Sequence, residues 1–407
     1  MIHKFDIDNT TVYFQESPSL PMVDIQLNFR AGSAFDSDLN GLADLAVGMF
    51  ATKTQKSSEQ ELINKITDSG ISIHSETTKE FFNIKIRLLN DLNIINNTIN
   101  ILQEIFTFPD FDADILEREK IQTLTHIDYL YQQPNYLASL EFSKHIFANN
   151  PYSKPTIGYK GTIKKISKKD IEDFFNQNIC ANNANICIVG AIDKIQAEDI
   201  SQSLVSFLPK GKKNTQKFAQ QKNNSQIIKN KFSSKQTAIL TGHQLLLDIN
   251  DPLYFPLKLG NEILGGGGLN SLLFNKVREE LGLVYNISST ANINPDYGSF
   301  VISAQTSNPN LALETINSVY SNFINSTIDE QTLTNSKKHI EGTHLLSCVK
   351  NSSKLNMLSS IANKNLPLDF FDTYVEHINN VTATQIYDAY QAIQENNIIT
   401  VMVGDIE

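Results

Sequence analysis

The chain has 407 residues, of which 41% are hydrophobic and 19% charged, and this excludes a disordered chain, a collagen-like fibre and a disulfide-stapled miniprotein. At roughly 150 residues per domain, two or three domains are expected. Thirty-four Lys and Arg against 44 Asp and Glu leave a net charge of -10, which argues against nucleic-acid binding, because phosphate contacts need clustered basic side chains.

In chain order, residues 10–14 and 23–29 read as strands, the second with strict apolar–polar alternation. Helical spacing covers 40–51 and 58–68. Residues 70–73 and 82–88 return to strand, 92–106 and 114–131 to amphipathic helix, and 186–189 form a short strand closed by Gly190. From about 209 to 234 the chain is rich in Lys, Gln and Asn and reads as a linker. The pattern then restarts with a strand at 237–241, a helix at 252–264 and a run of four glycines. A further helix, strands near 284–289 and 300–304, long helices and a last strand at 398–403 complete it. No apolar run reaches 18 residues, so no transmembrane helix is expected. The opening Met1-Ile2-His3-Lys4-Phe5-Asp6 is not a signal peptide, so the chain as written is expected in the cytoplasm, or in the periplasm if an export signal has been removed. Cys180, Cys187 and Cys348 match no zinc or CxxC spacing and read as inert thiols.

The two halves resemble each other. Leu62-Ile63-Asn64-Lys65-Ile66 leads into Gly70-Ile71-Ser72-Ile73, and Leu273-Phe274-Asn275-Lys276-Val277 leads into Gly282-Leu283-Val284-Tyr285. Each block runs from helix through glycine into strand, and each is followed by an alternating strand and a long helix. The expectation is an α+β chain of two homologous domains, each a mostly antiparallel sheet flanked by helices. Their expected extents are 1–208 and 236–407, joined by a polar linker at 209–235.

Few single motifs carry chemistry. Gly265, Gly266, Gly267 and Gly268 lack the Lys and Ser/Thr of a phosphate-binding loop. They read either as a turn between helices or as a loop whose backbone can approach an extended peptide. His339 and His344 are five apart, whereas zinc-binding helices space their histidines by four, so both read as surface or cap residues. Asp112, Asp114, Glu117 and Glu119 cluster at a helix start, where the helix dipole favours them.

A longer constellation is more specific. It comprises Arg30-Ala31-Gly32-Ser33, Asn40-Gly41-Leu42-Ala43, Met49-Phe50, Glu117-Arg118-Glu119 and Ile188-Val189-Gly190. In the second half it continues with Ile263-Leu264-Gly265-Gly266-Gly267, Leu273-Phe274, Val277-Arg278-Glu279 and Gly282-Leu283-Val284-Tyr285. With these, nearly the whole chain resembles the pitrilysin/insulinase-type metallopeptidases, the inverzincins. The closest resemblance is to their two-domain subunits, such as those of mitochondrial processing peptidase. The resemblance implies an H-x-x-E-H zinc helix after Gly-Leu-Ala. Here those positions read Asp44-Leu45-Ala46-Val47-Gly48, so Asp44 replaces the first His, Val47 the catalytic Glu and Gly48 the second His. The implied third ligand, a Glu, falls where Leu124-Thr125-His126 stands; Thr125 is taken as its position, and His126 is a structural residue or a metal ligand. The implied second-half pair is intact: Arg278 and Tyr285 correspond to the residues that bind substrate and stabilise the oxyanion.

The expectation is therefore a zinc-lacking subunit that needs no cofactor of its own. It would bind unfolded peptides by strand addition and lend Arg278 and Tyr285 to a homologous partner holding the zinc. The alternative is a structural or peptide-binding subunit with no catalytic contribution.

Overall fold

The computed structural model describes residues 1–219, 224–394 and 397–406. The elements in chain order are β1 (Ile2–Ile7), β2 (Thr10–Glu16), β3 (Met22–Phe29), α1 (Leu42–Met49), α2 (Glu59–Asp68), β4 (Ser72–Thr77), β5 (Phe82–Leu89), α3 (Leu92–Thr107), α4 (Ala113–Leu130), α5 (Pro134–Ile146), α6 (Lys160–Ile163), α7 (Lys168–Asn178), β6 (Ala184–Gly190) and α8 (Lys194–Phe207). There follow β7 (Gln226–Lys231), β8 (Thr237–Gln244), α9 (Tyr254–Asn261), β9 (Asn286–Asn292), β10 (Ser299–Thr306), α10 (Pro309–Asn325), α11 (Glu330–Ser347), α12 (Asn351–Lys364), α13 (Tyr374–Asn380), α14 (Ala383–Ile393) and β11 (Ile399–Gly404). Between α9 and β9 lie two π-helical segments, Glu262–Gly266 and Phe274–Glu280.

Two compact units form. The first comprises Met1–Ile127, Pro155–Gln216 and Leu346–Phe371. Its sheet runs β1-β2-β6-β3-β5-β4, antiparallel except for the β2–β6 pair. Alternation on β3 sends Val23, Ile25, Leu27 and Phe29 to one face, where they meet Ile84 and Ile86 of β5 and Ile186 and Ile188 of β6. Leu45 and Met49 of α1, Leu62 of α2, Leu102 of α3 and Leu204 of α8 belong to the same core. Helix ends follow local chemistry: Ser58 and Glu61 form a capping box on α2, and Asp91 caps α3.

The second unit comprises Asp128–Lys154, Lys217–Leu345 and Asp372–Glu407. Its sheet runs β7-β11-β8-β10-β9, again antiparallel except for one pair, β7–β11. Phe300 of β10 stands edge-on to the fully buried Tyr390 of α14, whose hydroxyl donates to Leu257 O at 3.3 Å.

Each sheet is mostly antiparallel and flanked by helices, and the order strand, strand, helix recurs in both units, as expected for homologous α+β domains. The units are nevertheless not continuous halves. Helix α5 lies between elements of the first unit in sequence yet packs on β8 and β11, and α12 packs on β3 and β6. The expected extents 1–208 and 236–407 therefore differ from the compact units by one exchanged stretch each way. A mostly antiparallel sheet with helices on one face needs a cover for the other, and here each half supplies it to the other's sheet. The expected linker also holds a strand, β7, of which only Ile228 is even half-buried. Residues 220–223 of that linker lie outside the described residues.

Candidate functional site

Helix α1 is aimed by its entry. Asp36 accepts from Gly41 N at 2.8 Å and from Ala43 N at 3.0 Å, satisfying donors that the first helical turn leaves open. Burial pushes the Asp36 carboxyl up to about 7, against the lowering effect of these hydrogen bonds. Residues 44 and 48 are one turn apart and share a face of α1; residues 119 and 126 are two turns apart and share a face of α4. These faces meet. Burial raises the Asp44 carboxyl, and His126 acts on it in the opposite sense. A Cβ built on Gly48 would lie 2.6 Å from Glu119 Oε2, so the Glu119 carboxylate fills the space a side chain at 48 would enter.

Val47 is half-buried against the core, and its carbonyl accepts from Ser75 Oγ at 3.2 Å. Thr125 is exposed and returns its hydroxyl to Ile121 O of its own helix at 2.8 Å. The α4 residue turned to Asp44 is thus His126, one position beyond Thr125, because seven residues after Glu119 completes two turns and six does not. The sequence reading held Glu119 only as part of the acidic cluster and of the Glu117-Arg118-Glu119 triplet, with no place at the site; the signal was its seven-residue spacing from His126.

These residues do not fit zinc. Gly48 has no donor atom, Val47 cannot take a proton from water, and Glu119 also meets Arg118 Nε at 3.5 Å. Among the described residues, no group of three or more His, Cys, Asp or Glu is arranged to hold a metal ion.

The second-unit motif is built on the π-helical segments. Arg278 sits in Phe274–Glu280 with its guanidinium 4.8 Å from the Phe274 ring centre and 5.9 Å from that of Tyr285. Gly282, at φ +61°, turns the chain back so that Leu283 N bonds Val277 O at 3.0 Å. Tyr285 then enters the sheet one residue before β9, its N–H bonded to Gln305 O at 2.8 Å. Its side chain is 68% exposed, so it is not a core strand residue. Both rings are within cation–π reach of the Arg278 guanidinium, an interaction with its face that leaves its edge N–H groups to donate.

The glycine run is less open than its composition suggests. Gly265 is buried where a Cβ would lie 2.6 Å from Ser289 N of β9, so its first duty is close packing. Gly266 ends the π-helical segment, Gly267 follows, and Gly268 at φ +60° faces open space. Glu262 opens that segment and meets His339 Nδ1 at 2.5 Å, a contact the sequence did not signal. His344 stacks on Tyr374 with ring centres 5.3 Å apart. Asp112 accepts from Asp114 N at 2.9 Å and pairs with Lys53 at 2.6 Å, so it works as a helix-start cap. Cys180 and Cys187 are buried and Cys348 half-buried, and burial pushes the Cys187 thiol well up.

Family comparison agrees with this layout. Residues 11–160 match the model described as Insulinase (Peptidase family M16), and residues 165–339 match Peptidase M16 inactive domain. The chain belongs to the M16 peptidase family. Among M16 relatives, the non-peptidase homolog YmxG of Helicobacter pylori is 25% identical over 96% of this chain and 90% of its own. The mitochondrial-processing peptidase subunit beta of Dictyostelium discoideum is 21% identical over 66% of this chain and 58% of its own. The crystal structure of a peptidase M16 inactive domain from Pseudomonas fluorescens superposes with a TM-score of 0.95 at 26% identity, covering 100% of this chain and 98% of that one. This M16 chain therefore carries the family fold without the family's H-x-x-E-H motif. Among the described residues, no helix is long and apolar enough to cross a membrane.

Proposed function

We propose that the chain is the zinc-lacking subunit of a heterodimeric peptidase. It binds unfolded peptide and presents Arg278 and Tyr285 to the zinc site of a homologous partner that carries H-x-x-E-H. The observation that carries this reading is the state of the pair. Tyr285 is 68% exposed, and the Arg278 guanidinium lies within cation–π reach of both its ring and that of Phe274. Both are donors suited to an oxyanion, whereas the positions of the lost zinc site hold no ligand set. Strand addition supplies the peptide contact: β9 follows Tyr285 directly and is paired on one side only, with β10. No step is assigned to a metal in this chain.

The purified chain, mixed with a homologous subunit bearing H-x-x-E-H, is expected to hydrolyse an unfolded peptide that neither subunit cleaves alone. Arg278→Ala in the mixture lowers kcat/KM by about 10²–10³-fold. An unchanged kcat/KM sinks the catalytic role. The second reading, a structural or peptide-binding subunit, draws support from Gly265, whose close packing on β9 accounts for a glycine there without any ligand. It predicts peptide binding with no gain of hydrolysis in the mixture.

A further inference from the structure

Helices α5 and α12 hold equivalent places in the internal repeat, and each covers the second face of a sheet. The faces beneath them differ in chemistry. In the second unit, Gln244 Nε2 donates to Ile146 O of α5 at 2.7 Å, which fixes the face turned to that helix. Alternation puts Ala238, Leu240 and Gly242 of β8 on that face, opposite Val403, Val401 and Ile399 of β11. The seat is apolar, and α5 buries Ala138, Phe142 and Ile146.

In the first unit, Ser359 of α12 donates to Asn28 Oδ1 and accepts from Gln26 Nε2, both at 3.1 Å, and Asn185 Nδ2 donates to Asn363 Oδ1 at 2.8 Å. The same alternation places Asp24, Gln26 and Asn28 of β3 on this face, opposite Val189, Cys187 and Asn185 of β6 in turn. The three β3 residues are 4%, 3% and 0% exposed. At the start of α12, Asn351 Oδ1 accepts from Ser17 Oγ at 2.8 Å. These bonds do not use up the polar atoms. Asp24 Oδ2, Gln26 Oε1 and Asn351 Nδ2 are buried without a protein hydrogen-bond partner, as is Asn83 Oδ1, directly across the strand pair from Asn28.

The two seats respond to water in opposite ways. Hydrogen bonds across a seam exchange for water bonds at little net change, and an unpaired buried polar atom gains a partner once it is wetted. Uncovering Leu240 and Val401 returns apolar surface to water with no such gain. Leu355, Leu358 and Ile361 of α12 are buried, and Val189 and Tyr13 add apolar area to the sheet face beside the polar strip that water can satisfy.

We propose that α12 is a releasable strap: it lifts from β3 and β6 by local unfolding, wetting the Asp24–Gln26–Asn28 strip, while α5 stays seated. Backbone hydrogen–deuterium exchange on the full chain tests this. After correction for intrinsic rates, amides of α12 are expected to exchange at least about tenfold faster than those of α5. Equal or slower exchange in α12 overturns the proposal. Gln26→Leu removes one unpaired oxygen from the seam together with the Nε2 bonds to Ser359 and Asn28, replacing a group that water can satisfy by one that it cannot, and is expected to slow α12 exchange while leaving α5 unchanged. Faster exchange of α12 in that variant would mean that the polar layer holds the helix down, and this also overturns the proposal. The comparison within the unaltered chain decides the question even if the variant fails to fold.

Discussion

Position 48 shows how a lost ligand leaves a mark on its neighbours. Glycine inside a helix costs about 1 kcal/mol relative to alanine, so from the sequence alone Gly48→Ala should stabilise the chain. The Glu119 carboxylate changes that expectation, because it stands 2.6 Å from where the new Cβ would be. Gly48→Ala alone is expected to move stability by less than about 0.5 kcal/mol, the helix gain being offset by displacement of Glu119. In a Glu119→Ala background the same change gains about 1 kcal/mol. Urea unfolding of the four chains measures this coupling, and strict additivity would show that Glu119 does not occupy the space. Asp36, close by, sets a pH dependence. Its carboxyl is raised from 3.8 to about 7, so between those values the folded chain keeps a proton that the unfolded chain has lost. Its contribution is present in full below the unfolded value and is lost as pH rises through the folded one. Stability is expected to fall between about pH 4 and 7, and Asp36→Asn should flatten that slope. A slope that survives the substitution assigns it to another group.

At the scale of elements, burial decides what could be read in advance. Strands β3 and β5 were legible as 23–29 and 82–88 because one face is core and the alternation is clean. Strands β1 and β7 are sheet edges, β1 mostly half-buried and β7 almost wholly solvated, so neither carries such a period. The helix expected over 252–264 ends as α-helix at Asn261 and continues as a π-helical segment, since nothing in its spacing marks the extra residue per turn. The site divides in the same way. Asp44, Val47 and Gly48 were placed by a local motif, while the approach of Glu119 and His126 depends on two helices far apart in the chain. The π-helical segment yields a prediction of its own. Gly265→Ala forces a Cβ onto the backbone of β9 at Ser289 and is expected to cost about 1–3 kcal/mol. Gly268→Ala meets no neighbour and is expected to cost only its positive φ, about 1 kcal/mol. Thermal unfolding ranks the two, and a milder effect at 265 than at 268 contradicts the packing role of Gly265.

For the molecule as a whole, the exchanged helices matter more than the linker. A polar stretch between two homologous halves suggests a place to cut, but a first half ending there lacks α12, and a second half starting there lacks α5. Cleavage between residues 209 and 219 is expected to leave two fragments that co-elute under native conditions and separate only in denaturant. Expressed singly, each fragment is expected to be insoluble or unfolded, and soluble, cooperatively melting single fragments would contradict the exchange. The same wiring bears on synthesis. Strand β2 finds its parallel neighbour β6 more than 170 residues downstream, and the seat on β3 and β6 waits for residues 351–364. Strand β7 waits for β11, at the very end of the described chain. The first sheet has all its strands by Gly190 but waits for α12 as its cover, whereas the second sheet cannot be completed before β11 is made, so the nascent first unit emerges with the polar face of its sheet uncovered. A hydrophilic strip at that position gives other nascent chains little to adhere to during the wait.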